Sequence, residues 1–172
     1  ATEAASAGGA VLQYYWGNLS NVQQKGRPGD LVTEADKAAE KEVLSVLKLH
    51  FPDHAILAEE SGSISAKSQK AAADLLWAVD PLDGTTNYAH QYPFCGCSVG
   101  LLIDGQPAVG AIFEPVHGAL FRAAKGLGAT CNRQPIHVSD TESLAESLLV
   151  TGFAYDRRET IDNNYAEFCH LT

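Results

Sequence analysis

Four carboxylates close two apolar runs of this 172-residue chain: "AILA" at 55–58 ends in Glu59-Glu60, and "WAVDPLDGTTN" at 77–87 carries Asp80 and Asp83. If the runs are neighbouring strands, their ends lie about 5–10 Å apart. Four negative charges that close repel strongly in a low-dielectric pocket. Either some of them take up protons or a multivalent cation neutralises them. Carboxylate and carbonyl oxygens are the ligands of hard ions such as Mg²⁺, and no soft ligand accompanies them. Pro81-Leu82 implies a bent backbone, which would aim the Leu82 carbonyl the same way as the flanking aspartates. Gly84 tolerates unusual backbone angles, and Thr85 and Thr86 offer hydroxyls and backbone N–H groups. A helix beginning here has free N–H donors suited to phosphate. An acidic site repels a phosphate ester unless cations lie between them, so the two features explain each other. The chemistry implied is metal-assisted phosphoryl transfer to water.

Local elements must hold these groups in place. A first helix is expected over 1–17, with Val11, Leu12, Tyr15 and Trp16 as its apolar stripe, Gly17 as its stop, and Gly8-Gly9 weakening its beginning. Residues 21–31, "NVQQKGRPGDL", read as a loop. A second helix follows, with Val32, Ala35, Ala39, Val43, Val46, Leu47 and His50 at helical spacing and Thr33/Asp36 as a capping box. "AILA" and "LLWAV" (75–79) read as buried strands, and 61–73 as an exposed connection. Asp104-Gly105 between two apolar runs predicts a hairpin. "EPVHGALFRAA" predicts a turn and a strand, and "SLLVTGF" (147–153) a further strand. A last helix is expected over 161–172, through Ile161, Tyr165, Phe168, Cys169 and Thr172. It has no capping signal, so the chain is expected to stop inside an element of a longer fold.

Composition bounds the function. With 45% hydrophobic and 19% charged residues, the chain can bury a real core. A net charge of -9 argues against nucleic acid or an acidic membrane surface as a partner. No apolar run approaches the roughly 18 residues of a membrane span, so a soluble protein is expected. Cys95 and Cys97 would share one strand face. With Cys131 and Cys169 they offer no finger-like metal spacing, and they read as plain buried thiols in a reducing compartment. No methionine is present.

The residues Trp77 to Asn87, Glu59-Glu60-Ser61, Lys25 with "DLVTEAD" (30–36), and "FEPVHGALFRAAKGLGATCN" (113–132) together resemble the inositol monophosphatase family. Its members are magnesium-dependent, lithium-sensitive phosphatases with the signature W-x-[VI]-D-P-[LI]-D-G-T-x-N. The resemblance covers nearly the whole chain. It implies an α+β fold, the N-terminal part of a layered αβαβα sandwich, with two N-terminal helices on a mainly antiparallel sheet. It also implies that Glu59, Asp80 and the Leu82 carbonyl bind a first Mg²⁺, and that Asp80 and Asp83 help bind a second. The N–H groups of Gly84 and Thr85 would hold phosphate. Thr85 with Asp36 would orient and activate the attacking water, Glu60 would support them, and Lys25 would approach metal or phosphate. The partner is then a small-molecule phosphate monoester: myo-inositol 1-phosphate first, with galactose 1-phosphate and histidinol phosphate as alternatives. A homodimer is expected for the complete protein. The texture of 116–140 resembles plant or photosynthetic-lineage members, which implies the plastid stroma, or otherwise the cytoplasm.

The family's second signature, W-D-x-[AG]-[AG], has no match after Asn87. Residues 1–172 are therefore expected to be an N-terminal metal- and phosphate-binding domain without the family's C-terminal α/β half. Two rivals remain. Haloacid-dehalogenase-type phosphatases use D-x-D-G-T, whereas Asp80 and Asp83 here are three apart. A fragment or pseudo-phosphatase acting as a binding or assembly module would share the acidic motifs without activity.

Overall fold

The computed structural model describes residues 1–26, 29–64 and 74–171. Helix α1 spans Thr2–Tyr15 and is closed by Gly17 at φ +74°. Gly8 and Gly9, expected to weaken it, are instead its points of closest packing. A Cβ on Gly8 would lie 2.6 Å from Cys97 Sγ and 2.7 Å from Val43 Cγ2, and one on Gly9 would lie 2.0 Å from Phe113 Cδ1. The helix forgoes about 1 kcal/mol of propensity at each glycine and gains close approach to its neighbours.

The segment expected as a loop at 21–31 contains two strands, β1 (Val22–Gln24) and β2 (Leu31–Thr33), paired antiparallel from Val22↔Thr33 to Gln24↔Leu31. Gly26 and Gly29, at φ +101° and +89°, lie between these two very short strands. Helix α2 (Glu34–His50) starts at the expected capping box. The Thr33 hydroxyl accepts from Ala35 N at 3.1 Å, and Asp36 Oδ2 accepts from Thr33 N at 2.8 Å. Of its expected apolar stripe, Ala35, Ala39, Val43 and Leu47 are buried and His50 is exposed.

The remaining strands are β3 (Ala55–Ala58), β4 (Gly62–Ile64), β5 (Leu75–Asp83), β6 (Gly96–Ile103), β7 (Gln106–Glu114), β8 (Ala119–Ala124), β9 (Gly128–Cys131) and β10 (Gln134–Ile136). They form one sheet in the order β10-β9-β8-β7-β6-β5-β3-β4. Among the described residues, only β3 and β5 pair in parallel. The β6–β7 hairpin turns at Asp104 (φ +50°) and Gly105 (φ +72°), as the Asp-Gly signal predicts. β4 lies within the stretch expected as an exposed connection; residues 65–73 of that stretch lie outside the described residues. A five-residue helix, α3 (Thr85–Ala89), follows β5.

Helices α1 and α2 pack on one face of the sheet and bury Leu12, Val43, Leu47, Ile56, Trp77, Val79, Val99 and Ala111. Tyr88 joins this core, its hydroxyl donating to Leu12 O at 2.6 Å. This is the expected α+β arrangement of two helices on a mainly antiparallel sheet. On the helix-free face, a cross-strand row runs Asp80, Ser98, Ile112, Phe121, Cys131.

Three expectations fail here. Residues 147–153 form no strand: Leu148 is 94% and Val150 82% exposed. An apolar run signals burial, but a strand also needs an edge to pair with, and none adjoins it among the described residues. The last helix, α4, is only Tyr165–Leu171, with Ile161 exposed before it. It packs Tyr165 and Phe168 on Phe153, at ring separations of 4.9 and 5.5 Å. Thr172 lies outside the described residues. Of the four cysteines, only Cys97 is buried; Cys95 precedes β6, Cys95 and Cys131 are half-buried, and Cys169 is exposed.

Candidate functional site

The end of β5 sets the geometry. Asp80 faces Ser98 and Asp83 faces Gly96, so three residues of β5 span two of β6. This is a β-bulge at Pro81-Leu82. Residues three apart on a regular strand point to opposite faces. The extra residue instead puts both aspartates opposite β6 residues that are two apart, hence on one side of the sheet. A D-x-D spacing would need no such bulge. Leu82 is buried, and its N–H donates to Asp80 Oδ1 at 3.1 Å.

β3 runs parallel to β5 and brings Glu59 alongside, with Glu59 N donating to Val79 O at 3.1 Å. Glu59 and Asp80 follow directly on the facing pair Ala58 and Val79, so the two carboxylates lie side by side. Burial, then Glu59 and the charge of Asp83, push Asp80 from 3.8 to about 7, against the opposing Leu82 N–H. A groove of about 590 Å³ lined by Leu57, Glu59, Gly62, Asp80 and Ser98 opens here. A second of about 420 Å³, lined by Asp83, Gly84, Asn87, Phe94 and Glu114, lies across the bulge.

Gly84 takes φ +83°, and a Cβ there would meet Phe94 O at 2.9 Å, so both conformation and space demand glycine. Thr85 Oγ1 lies 3.0 Å from Asp36 Oδ1 and 3.0 Å from Leu82 O. Asp36 is fully buried. Burial pushes its carboxyl up, while hydrogen bonds from Thr33 and Thr85 pull the other way. Lys25 Nζ sits 2.8 Å from Glu59 Oε1 and also contacts Glu60. Burial opposes its charge, but the two glutamates win and hold the lysine above its ordinary value. Glu60 itself is raised, chiefly by burial, with Lys25 pulling it back.

The chain thus brings Lys25, Asp36, Glu59, Glu60, Asp80, Leu82, Gly84 and Thr85 to one end of the sheet, with Asp83 across the bulge. It does not bring Glu59, Asp80 and Asp83 into one cage: among the described residues, no three His, Cys, Asp or Glu side chains are grouped to hold a metal ion. Asp83 is exposed on the far side of the bulge, and Lys25 draws Glu59 toward Glu60. The donor chemistry still fits a hard divalent cation. Two adjoining carboxylates next to a carbonyl are oxygen donors only, and the Lys25 ammonium stands in as the positive charge that Glu59 demands.

One participant was missed in the sequence. Glu40 is buried, and its Oε2 accepts from Glu60 N at 2.8 Å, orienting the paired glutamates. Its signal was a charged residue one helical turn from Asp36, on the apolar face of α2.

The chain has clear relatives among known proteins. The model of the inositol monophosphatase family matches residues 1–172. An inositol-1-monophosphatase of Synechocystis is 57% identical over all of this chain, which spans 58% of that protein. The chloroplastic phosphatase IMPL1 of Arabidopsis thaliana is 43% identical over 98% of the chain and 46% of its own length. The solved inositol monophosphatase of Anabaena superposes with a TM-score of 0.84 at 61% identity, covering the whole chain and 61% of that structure. The chain accordingly spans about half to three-fifths of the relatives it matches. On the match of its entire length, this chain belongs to the inositol monophosphatase family.

Proposed function

We propose that the protein carrying this chain is a Mg²⁺-dependent phosphomonoesterase whose first substrate is myo-inositol 1-phosphate, with galactose 1-phosphate and histidinol phosphate as further candidates. Members of the family are metal-dependent phosphatases. The observation that carries the reading is the buried Asp36–Thr85 hydrogen bond, set beside the Glu59–Asp80 pair. Residues 1–172 are then the metal- and phosphate-binding part, and a C-terminal α/β half would cover the helix-free sheet face. We place the complete protein as a homodimer in the plastid stroma. The Arabidopsis relative is chloroplastic, and no described helix is long and apolar enough to cross a membrane.

In this reading, Glu59, Asp80 and the Leu82 carbonyl would hold a first Mg²⁺, and Asp80 and Asp83 would help hold a second. When bound, the ion supplies positive charge that polarises the phosphoryl group. The free amides of Gly84 and Thr85 hold the phosphate; α3 is too short for a helix dipole to matter. Thr85 donates its proton to Asp36, which leaves its oxygen lone pairs to accept from the attacking water. As that water attacks phosphorus and the ester P–O bond breaks, the water's proton passes to Thr85 Oγ1 and the threonine proton to Asp36, while the departing alkoxide leaves as the alcohol by taking a proton from solvent. Burial, by raising the basicity of Asp36, favours that transfer. Glu60, held by Glu40 and Lys25, keeps Glu59 oriented. The decisive test assays the complete protein against a panel of phosphate esters with and without Mg²⁺. Turnover of inositol 1-phosphate only with the ion supports the reading, and no turnover of any ester refutes it.

Two results follow for stability. Free Mg²⁺ at about ten times its Kd should stabilise the protein by about 1.4 kcal/mol, or about 3–6 °C in Tm. A midpoint that ignores the ion would count against a formed site. Without Mg²⁺, Asp80 keeps its proton in the folded state up to about pH 7 but loses it near pH 3.8 when unfolded. The folded state therefore binds more protons between those values. The Asp80 contribution favours folding at the acid end and is lost as pH rises toward 7. Urea midpoints measured across that window should fall with pH in wild type, less steeply in Asp80→Asn, and less steeply with Mg²⁺ present.

A further inference from the structure

The family signature leaves position 86 open, and none of the roles above uses Thr86. Its hydroxyl nonetheless donates to Gly29 O at 3.1 Å. The preceding residue, Thr85, is bonded to Asp36. Two consecutive threonines therefore hold both ends of one segment: Gly29 ahead of β2 and Asp36 in the first turn of α2.

The ends are not equally secure. At the far end, Val32, Thr33 and Asp36 are buried and locked by the capping box. At the near end, Gly29 is exposed, and a Cβ built there would meet nothing within 4 Å. The Thr86 hydroxyl ties this exposed residue to α3. The next residue, Asp30, accepts from Lys25 N through its carbonyl at 2.8 Å, and Lys25 Nζ reaches Glu59 and Glu60. A continuous path thus runs from Thr86 through Gly29, Asp30 and Lys25 to the acidic pair.

We propose that Thr86 is a positioning residue: it anchors Gly29, ahead of β2, to α3 and so keeps Lys25 over Glu59 and Glu60, beside the position of the substrate phosphate. The kinetic part rests on the phosphatase reading above; the structural part does not. Released from that hydrogen bond, Gly29 and the Asp30–Lys25 pairing spend less time in the competent position, and apparent affinity falls by that fraction. One exposed hydrogen bond shifts such a balance by roughly three- to ten-fold.

The test uses the complete protein with Thr86→Val and Thr86→Ser. Hydrogen exchange at the Lys25 amide is followed by NMR, and KM and kcat are measured on inositol 1-phosphate. The valine variant should exchange roughly three- to ten-fold faster at Lys25 and raise KM in the same range, with kcat within about twofold. Serine, which keeps the hydroxyl, should restore both. Unchanged exchange at Lys25 in the valine variant would overturn the proposal. So would faster exchange with an unchanged KM, or a valine defect that serine does not repair. A wild-type protein that hydrolyses no ester defeats the phosphatase reading instead, and the exchange data still decide whether Thr86 anchors Gly29.

Discussion

Thr85→Ala in the complete protein is expected to lower kcat by about 10²–10⁴-fold while leaving KM within a few-fold, because the side chain and the backbone of this residue do different work. The substitution removes the hydroxyl that bridges Asp36 and the attacking water, and leaves the N–H that would hold the phosphate. An interaction made chiefly in the transition state is lost, and ground-state binding is kept. Thr85→Ser should retain most of the turnover, because serine can make the same bridge to Asp36. Steady-state kinetics on inositol 1-phosphate provide the measurement. A kcat that survives in the alanine variant removes Thr85 from proton transfer.

The double variant Gly8→Ala, Gly9→Ala should be destabilised by roughly 2–5 kcal/mol, or roughly 5–15 °C in Tm. Two effects compete. Alanine improves helix propensity by about 1 kcal/mol per site. Against this, the new methyl groups would sit 2.6 Å from Cys97 Sγ and 2.0 Å from Phe113 Cδ1. Neither neighbour can yield cheaply: Cys97 is fully buried, and Phe113 packs against the core. Overpacking wins. Gly152→Ala, on an exposed segment where an added Cβ meets nothing within 4 Å among the described residues, is the control and should leave Tm nearly unchanged. Equal midpoints for the double variant and the control would show that the α1–sheet contact is looser than these distances indicate.

These cases mark where the sequence was readable. Thr33/Asp36, Asp104-Gly105 and the two apolar runs carry their information within a few residues, and the structure follows them. The meaning of Gly8 and Gly9 lies in Cys97, Val43 and Phe113, which are distant in the chain, so propensity alone misreads them. The β1–β2 pair was hidden because three-residue strands leave too little alternation to count. "SLLVTGF" was misread for the opposite reason, since its composition is strand-like but it pairs with no strand among the described residues. At the site, the motif spacing announced which residues would gather. It could not show that Lys25 bridges Glu59 and Glu60, that Glu40 braces Glu60, or that Asp83 stays apart from the Glu59–Asp80 pair.

The bulge at Pro81-Leu82 has a consequence for how this motif tolerates change. Side-chain direction along a strand is a matter of parity, and the bulge makes an odd spacing behave as an even one. Substituting a residue between Asp80 and Asp83 leaves that count intact. Deleting one restores ordinary alternation, and the two aspartates still share a face, now two apart. Inserting one sets the aspartates four apart, an even spacing that shares a face on regular alternation without any bulge. A length change of one in either direction therefore keeps the carboxylates on one face, and what it costs is reach: Gly84 and Thr85 move out of register with Asp36, to which Thr85 is hydrogen-bonded.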